Sequence, residues 1–386
     1  MLQLSQTGLK TTNQLHKKII ETLEFYGFKP ANEILQKGTH TPIQPIREVE
    51  TALSQEKFIM QSIKKVLNKK AHINPSASLV YDTHIRSGKV NMELHAFGTE
   101  RATAEITLIA TIDSILKRLQ IKNYIMHINS LGNKESKIRF VRDLQAYLRD
   151  VKDDLPAYAK NQIQKKNPIS ALVFLLKKNH PLAHGAPNSI DYLTDEGRIH
   201  LRQILEFMEF ANIGYELDTS IIGSQDFWSH TIFETRIPNN DNTYVPIALG
   251  GRYNAFARRA YNKRFKGAGV VIEFELKGAK PNNTSQNTSK KPAFFITYIG
   301  DYARMQMFVT LDALHKAGIS VQKTVANDSL ISQMKEASKA STPYIIIIGH
   351  KEALENSAIV RNVETRTQKV IPLSKLPSYL KRLKIN

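Results

Sequence analysis

The pattern of apolar and polar positions divides the chain into a long mixed segment and a shorter one that alternates regularly. Near the start, Leu15, Ile19, Leu23 and Tyr26 recur at helical spacing, and Gly27 follows as a C-cap, so a helix is predicted there. Residues 29–50 are polar and poorly patterned, and 56–67 read as an amphipathic helix. From 79 to 98 the pattern turns extended, with Ser87, Gly88 and Lys89 placed as a tight turn between two strands. Ile106, Ile109, Ile112, Leu116 and Leu119 mark a helix over 102–119, residues 124–128 a strand, and 134–148 a further helix. The basic stretch 150–195 carries Pro156, Pro168, Pro181 and Pro187 and predicts a small helical insertion. A helix over 196–211 then precedes strand-like stretches in 215–274, joined by Gly- and Asn-rich turns, as in an antiparallel sheet.

Residues 280–291, KPNNTSQNTSKK, have no apolar periodicity and cannot bury enough surface to order themselves, so a flexible linker is expected over 280–292. Beyond it the pattern predicts strands at 294–299, 319–324 and 344–348, helices at 302–317, 330–338 and 374–383, and a hairpin from 360–362 and 369–371. Strand–helix alternation of this kind predicts a parallel or mixed sheet covered by helices. A chain of 386 residues exceeds what one core of roughly 250–300 residues holds, which agrees with two folded units.

Charge and composition narrow the classes. Fifty-four Lys and Arg against 35 Asp and Glu give a formal charge of +19, which attracts polyanions and makes nucleic acid the natural partner class, unless the charge reflects only a basic composition spread along the whole chain. With no cysteine, disulfides and Cys-based zinc sites are excluded, and the histidines show no metal-ligand spacing. The N-terminus lacks a signal-peptide pattern, and the longest apolar run, Ala171 to Leu176, is too short to span a bilayer. A soluble, cytoplasmic protein is expected.

The chemistry-bearing motifs, in order, are Tyr26-Gly27-Phe28, His95-Ala96-Phe97-Gly98-Thr99-Glu100, Ile128-Asn129-Ser130-Leu131-Gly132 and Asn167-Pro168. They are followed by Asp226-Phe227-Trp228, Thr231-Ile232-Phe233-Glu234 and Gly250-Gly251-Arg252-Tyr253-Asn254. Each is weak alone, but their order and separation resemble the histidyl-tRNA synthetase family over nearly the whole chain. The resemblance implies an α+β fold: a class II synthetase-like antiparallel sheet with flanking helices over 1–279, and a C-terminal α/β anticodon-binding-like domain over 293–386. It also implies tRNA or a tRNA-like RNA as partner and a homodimer.

In that family an amino-acid carboxylate attacks the α-phosphate of ATP, with magnesium, and fixed cations must meet the charge that gathers. Arg86 matches the motif 2 arginine, on a connecting loop shorter than the family's, and Glu100 keeps the acidic position that could meet an α-ammonium group. Glu100 reads equally as an acid favoured by a helix N-terminus. The resemblance places Asp226, Phe227, Trp228, Gly250, Gly251, Arg252 and Tyr253 against substrate. Three positions depart from it: Ala96 stands for a glutamine, Gly223 for a catalytic arginine and Leu276 for the motif 3 arginine, while Phe227 and Trp228 stand for two tyrosines. Losing one preorganised cation costs about 100- to 1,000-fold in rate, so two lost arginines imply about 10⁴-fold or more. Arg236, Arg252, Arg258 and Arg259 are the cations that could compensate. The expected function is therefore a synthetase-like RNA-binding protein with lost or much reduced histidine adenylation, needing ATP and magnesium only if activity persists. A divergent active histidine–tRNA ligase and a regulatory subunit of ATP phosphoribosyltransferase are the alternatives.

Overall fold

The computed structural model describes residues 12–31, 59–61, 78–86, 89–223, 227–239, 243–261, 266–275, 292–324 and 329–383. Most of the polar stretch 29–50, most of the helix expected at 56–67, and the linker at 280–291 lie outside them, as do Asp226, Leu276 and the side chain of Arg259.

The fold is α+β, as the resemblance implies, with an eight-stranded sheet ordered β1-β2-β3-β8-β7-β6-β4-β5. Its strands are β1 (Lys29–Pro30), β2 (Ser78–Arg86), β3 (Lys89–Phe97), β4 (Ile125–Gly132), β5 (Tyr215–Leu217), β6 (Ser229–Pro238), β7 (Tyr244–Arg252) and β8 (Gly267–Glu275). The six inner strands run antiparallel, and β1 and β5 add parallel edges. Arg86 pairs with Lys89 across the β2–β3 hairpin, the register a two-residue turn demands.

Period-2 alternation gives the sheet two apolar faces. On one lie α1 (Thr12–Phe25), α2 (Thr103–Arg118) and α6 (Asp195–Phe210), packed on Leu94, Ala96, Ala268 and Val270. Leu15, Ile19, Leu23 and Tyr26 are all buried there, and Gly27 closes α1 at φ +84°, a conformation glycine adopts without strain. On the other face lie α3 (Lys134–Asp150), α4 (Ala157–Gln164), α5 (Pro168–Lys177) and α7 (Asn254–Tyr261), packed on Leu249, Val271 and Ile232. The basic stretch 150–195 is thus helical and covers one sheet face.

Helix α2 is buried without interruption from Thr103 to Leu116, so its polar groups must find partners inside the protein. Thr107 and Thr111 donate to carbonyls four residues back at 2.7 Å, and Asp113 binds Lys117 at 2.8 Å and the Tyr124 hydroxyl. Glu105 is the remaining buried charge on this helix, and its partners build the site below.

The second sheet runs β10-β9-β11-β12-β13, from β9 (Phe294–Tyr298), β10 (Val321–Lys323), β11 (Tyr344–Ile348), β12 (Ser357–Asn362) and β13 (Gln368–Pro372). Strands β10, β9 and β11 are parallel, and β11, β12 and β13 antiparallel. Helices α8 (Asp301–Lys316), α10 (His350–Leu354) and α11 (Leu376–Arg382) pack on one face, and α9 (Leu330–Ala340) on the other. The short α10 was not legible in the pattern because a five-residue helix shows less than two turns of periodicity.

Gln333 of α9 is fully buried and grips the end of β9: its side-chain oxygen accepts from the Tyr298 amide at 3.0 Å, and its nitrogen donates to the Tyr298 carbonyl at 2.8 Å. Replacing Gln333 by leucine strands both backbone groups, and each buried unsatisfied group costs about 1–3 kcal/mol. Chemical denaturation of Gln333→Leu is expected to show a lower midpoint with an unchanged slope.

Candidate functional site

The site forms where β3, β7 and β8 lie side by side near the ends of β3 and β7. His95 pairs with Gly269, and Gly269 pairs with Gly251, so two neighbouring strands present no side chain at this level. A Cβ on Gly269 would stand 2.7 Å from His95 Nδ1 and 2.9 Å from Tyr253, and one on Gly251 would stand 2.5 Å from the Thr231 carbonyl and 2.9 Å from Trp228. These are distances no side chain can take, so the two glycines clear a strip on which the rings of Tyr253 and Trp228 lie directly. Gly250 faces the opposite side, where a Cβ would meet Phe233 at 2.5 Å.

The rings fill the strip. Phe227 and Trp228 are 1% and 0% exposed, meet edge to face at 4.6 Å, and Phe227 rests on Phe256 at 4.9 Å. Tyr253 is fully buried, with its hydroxyl 3.0 Å from His95 Nδ1, and burial lowers the His95 pKa to about 4, so this ring is neutral at physiological pH. Ala96 points the other way, into the core beside α2, so a longer polar side chain at that position would turn away from these rings.

Arg252 sits one residue before Tyr253 and is 0% exposed, and all of its described contacts are internal. Its Nε and Nη2 donate to the two oxygens of Glu105 at 2.9 and 2.5 Å. Nη1 donates to the Thr99 carbonyl at 2.7 Å and Nη2 to the Arg101 carbonyl at 2.8 Å. Arg252 therefore grips the chain on both sides of Glu100. Burial alone would push the Glu105 carboxyl up, but the charges of Arg252 and His200 outweigh it and hold its pKa down to about 2. His200 of α6 stands 3.0 Å from Glu105 and stacks on His230 at 4.8 Å. His230 occupies a bulge of β6 at φ +52°, and burial, followed by the nearby His200 and Arg252 charges, brings its pKa down to about 3.

A cleft of about 1250 Å³ opens beside this core. Trp228, His200 and His230 reach its wall, as do Lys134 and Ile138 of α3, Arg258 of α7 and Glu100. The Glu100 carboxylate is 62% exposed, lies 3.2 Å from Lys266 and lines the cleft. Arg86 closes β2, and its side chain lies outside the described part of the structure.

Gly223 lies elsewhere on the same face. It is buried at φ +70° and lines a smaller cavity of about 190 Å³ with Lys177, Ser220, Glu234 and Arg236. Arg236 is held by Glu234 at 2.8 Å and by Asp218 at 3.1 Å, so its charge is balanced. Of the candidate residues, the fold brings Glu100, Trp228, Gly251, Arg252 and Tyr253 together. Glu105, His200 and His230 were missed, because their link to Arg252 spans 147 residues for Glu105 and no local spacing reports it. Among the described residues no group of His, Asp or Glu is placed to hold a metal ion, and no helix is long and apolar enough to cross a membrane.

Residues 295–383 match the family described as the anticodon binding domain. The chain is 29% identical over 298 residues to a histidine–tRNA ligase of Halothermothrix orenii, covering 75% of this chain and 69% of that protein. It is 25% identical over 287 residues to the histidine–tRNA ligase of Latilactobacillus sakei, covering 73% and 66%. Among solved structures, apo histidyl-tRNA synthetase of S. aureus aligns over 99% of this chain and 98% of its own, at 18% identity and a TM-score of 0.49.

Removing Arg252 leaves the Glu105 charge buried without its cation and two carbonyls unmet, and breaking a buried pair from one side costs about 3–5 kcal/mol. Thermal unfolding of Arg252→Met is expected to show that loss, and the double variant with Glu105→Leu to recover part of it.

Proposed function

The chain belongs to the histidyl-tRNA synthetase family, and from that premise we propose that it binds tRNA or a tRNA-like RNA without activating histidine. The carrying observation is the aromatic packing: of the two positions expected to face the amino acid, Phe227 is buried against Phe256 and Trp228 is buried over Gly251. Trp228 alone of the pair reaches the cleft wall, and neither residue carries a hydroxyl to bind an imidazole. The buried Gly223, at a backbone angle that strains any L side chain, offers no cation of its own. RNA affinity rests on the net charge of +19 and the match of residues 295–383 to an anticodon-binding family. Family membership is likewise the ground for proposing a homodimer in the cytoplasm.

Two measurements test the reading. Filter binding at about 0.1 M salt is expected to retain tRNA above a neutral control, with affinity falling steeply as salt rises, because phosphate contacts release counterions. ATP–pyrophosphate exchange is expected to stay at background with histidine and with every other amino acid. Histidine-dependent exchange would overturn the loss of adenylation, and salt-insensitive or absent RNA retention the binding.

A second reading is a divergent active ligase, in which Arg236 substitutes for the missing arginine. Its support is that Arg236 and Lys177 both line the Gly223 cavity. On that reading ATP and magnesium are required, and Arg236→Gln lowers exchange by about 100- to 1,000-fold.

A further inference from the structure

The C-terminal sheet is tied to the larger one through α8, and His315 near the end of that helix is the centre of the contact. Its ring stacks on Phe25 of α1 at 4.2 Å and meets Tyr26 edge-on at 6.2 Å. Its Nε2 lies 2.6 Å from an Arg118 nitrogen and its Nδ1 3.3 Å from Ser114 Oγ, both on α2. A guanidinium has only donors, so Nε2 must carry a lone pair, and the ring proton sits on Nδ1, donating to Ser114. The contact is therefore made for the neutral imidazole. A second basic group shares the interface: the Lys323 ammonium nitrogen is buried without a hydrogen-bond partner, over the rings of Phe308 at 5.0 Å and Tyr26 at 5.7 Å.

The surrounding charges are committed elsewhere. Helix α1 supplies Glu21, 3.7 Å from Arg118. Helix α2 supplies Arg118, together with Asp113 and Lys117, which are paired to each other at 2.8 Å. Helix α8 supplies Asp312 and Lys316, paired at 2.6 Å, and β10 supplies Lys323. Each carboxylate in this set already holds a cation, whereas Arg118 faces His315 directly. At the other end of α8, Phe207 and Phe210 of α6 pack on Phe308 and Tyr302, both at 5.5 Å, and Gln203 meets Asp301, which also holds Arg304.

We propose that docking of the C-terminal sheet on the N-terminal helices is proton-gated: neutral His315 holds the two together, and a proton taken up on its Nε2 sets it against Arg118 and releases them.

The direction follows from linkage. Burial, followed by the Arg118 charge, lowers the His315 pKa from 6.5 to about 4, while the undocked ring returns toward 6.5. The undocked state then binds the proton more readily, so the histidine's contribution to docking is full above 6.5 and is lost as pH falls toward 4. Burial lowers Lys323 to about 7, which adds a loss of the same sign as pH falls from 10.5 to about 7. Over the histidine window the docking equilibrium changes by up to about 300-fold.

Small-angle X-ray scattering and far-UV circular dichroism of the full chain from pH 8 to pH 4 at constant salt test this. The radius of gyration is expected to rise between pH 6.5 and 4 while the helical signal persists. In His315→Gln, whose amide oxygen can still accept from Arg118 but cannot be charged, the expansion should be absent or fall below pH 4. Arg118→Met removes the repelling charge with the ring in place, and should move the midpoint down by about one pH unit. Expansion at the parent's pH in both variants overturns the proposal, as does expansion of the parent only when helix is lost.

Discussion

The Arg252–Glu105 pair is the interaction on which the site's geometry rests. One charge comes from the end of β7 and the other from the first turn of α2, and neither touches water. Burying two ions is costly, and it is tolerated here because each of the three guanidinium nitrogens donates to a carbonyl or a carboxylate oxygen. The same bonds fix three further features: the backbone on both sides of Glu100, the placement of His200 through Glu105, and through His200 the ring of His230. A residue that motif comparison places against substrate is thus spent on holding the frame of the cleft. It is 0% exposed and is not among the residues that line the cleft.

Helix α2 joins that frame to the rest of the molecule. Its first turn carries Glu105 and its last turns carry Ser114 and Arg118, which meet His315 of the C-terminal sheet. A helix buried along its length cannot slide or rotate without breaking packing on every side, so it acts as a rigid strut. The apolar core runs unbroken from Ile106 and Leu108 through α8 to Ile346 and Ile348, which makes the two sheets one packed body in this structure.

Much of the fold was legible in the sequence because apolar periodicity is a local property. The helix holding Leu15, Ile19 and Leu23, the β2–β3 hairpin and the alternating C-terminal segment each declare themselves within a few turns. The site was legible only in part. Trp228, Tyr253 and Glu100 were found through motif resemblance, but whether a ring lines a pocket or plugs one depends on Gly251 and Gly269, which lie on neighbouring strands and reveal their role only in register. Arg252 shows the same limit: its identity fits a binding role, and its partner lies 147 residues away. The face on which Ala96 points could be decided only from strand register, since alternation gives parity and not direction.

The glycine strip has a consequence for which replacements the site can take. A side chain placed on Gly251 or Gly269 collides with a ring already in place, and truncating that ring first leaves a void over bare backbone. The positions on the two strands and the rings above them therefore constrain one another, and only paired replacements keep this level of the sheet packed.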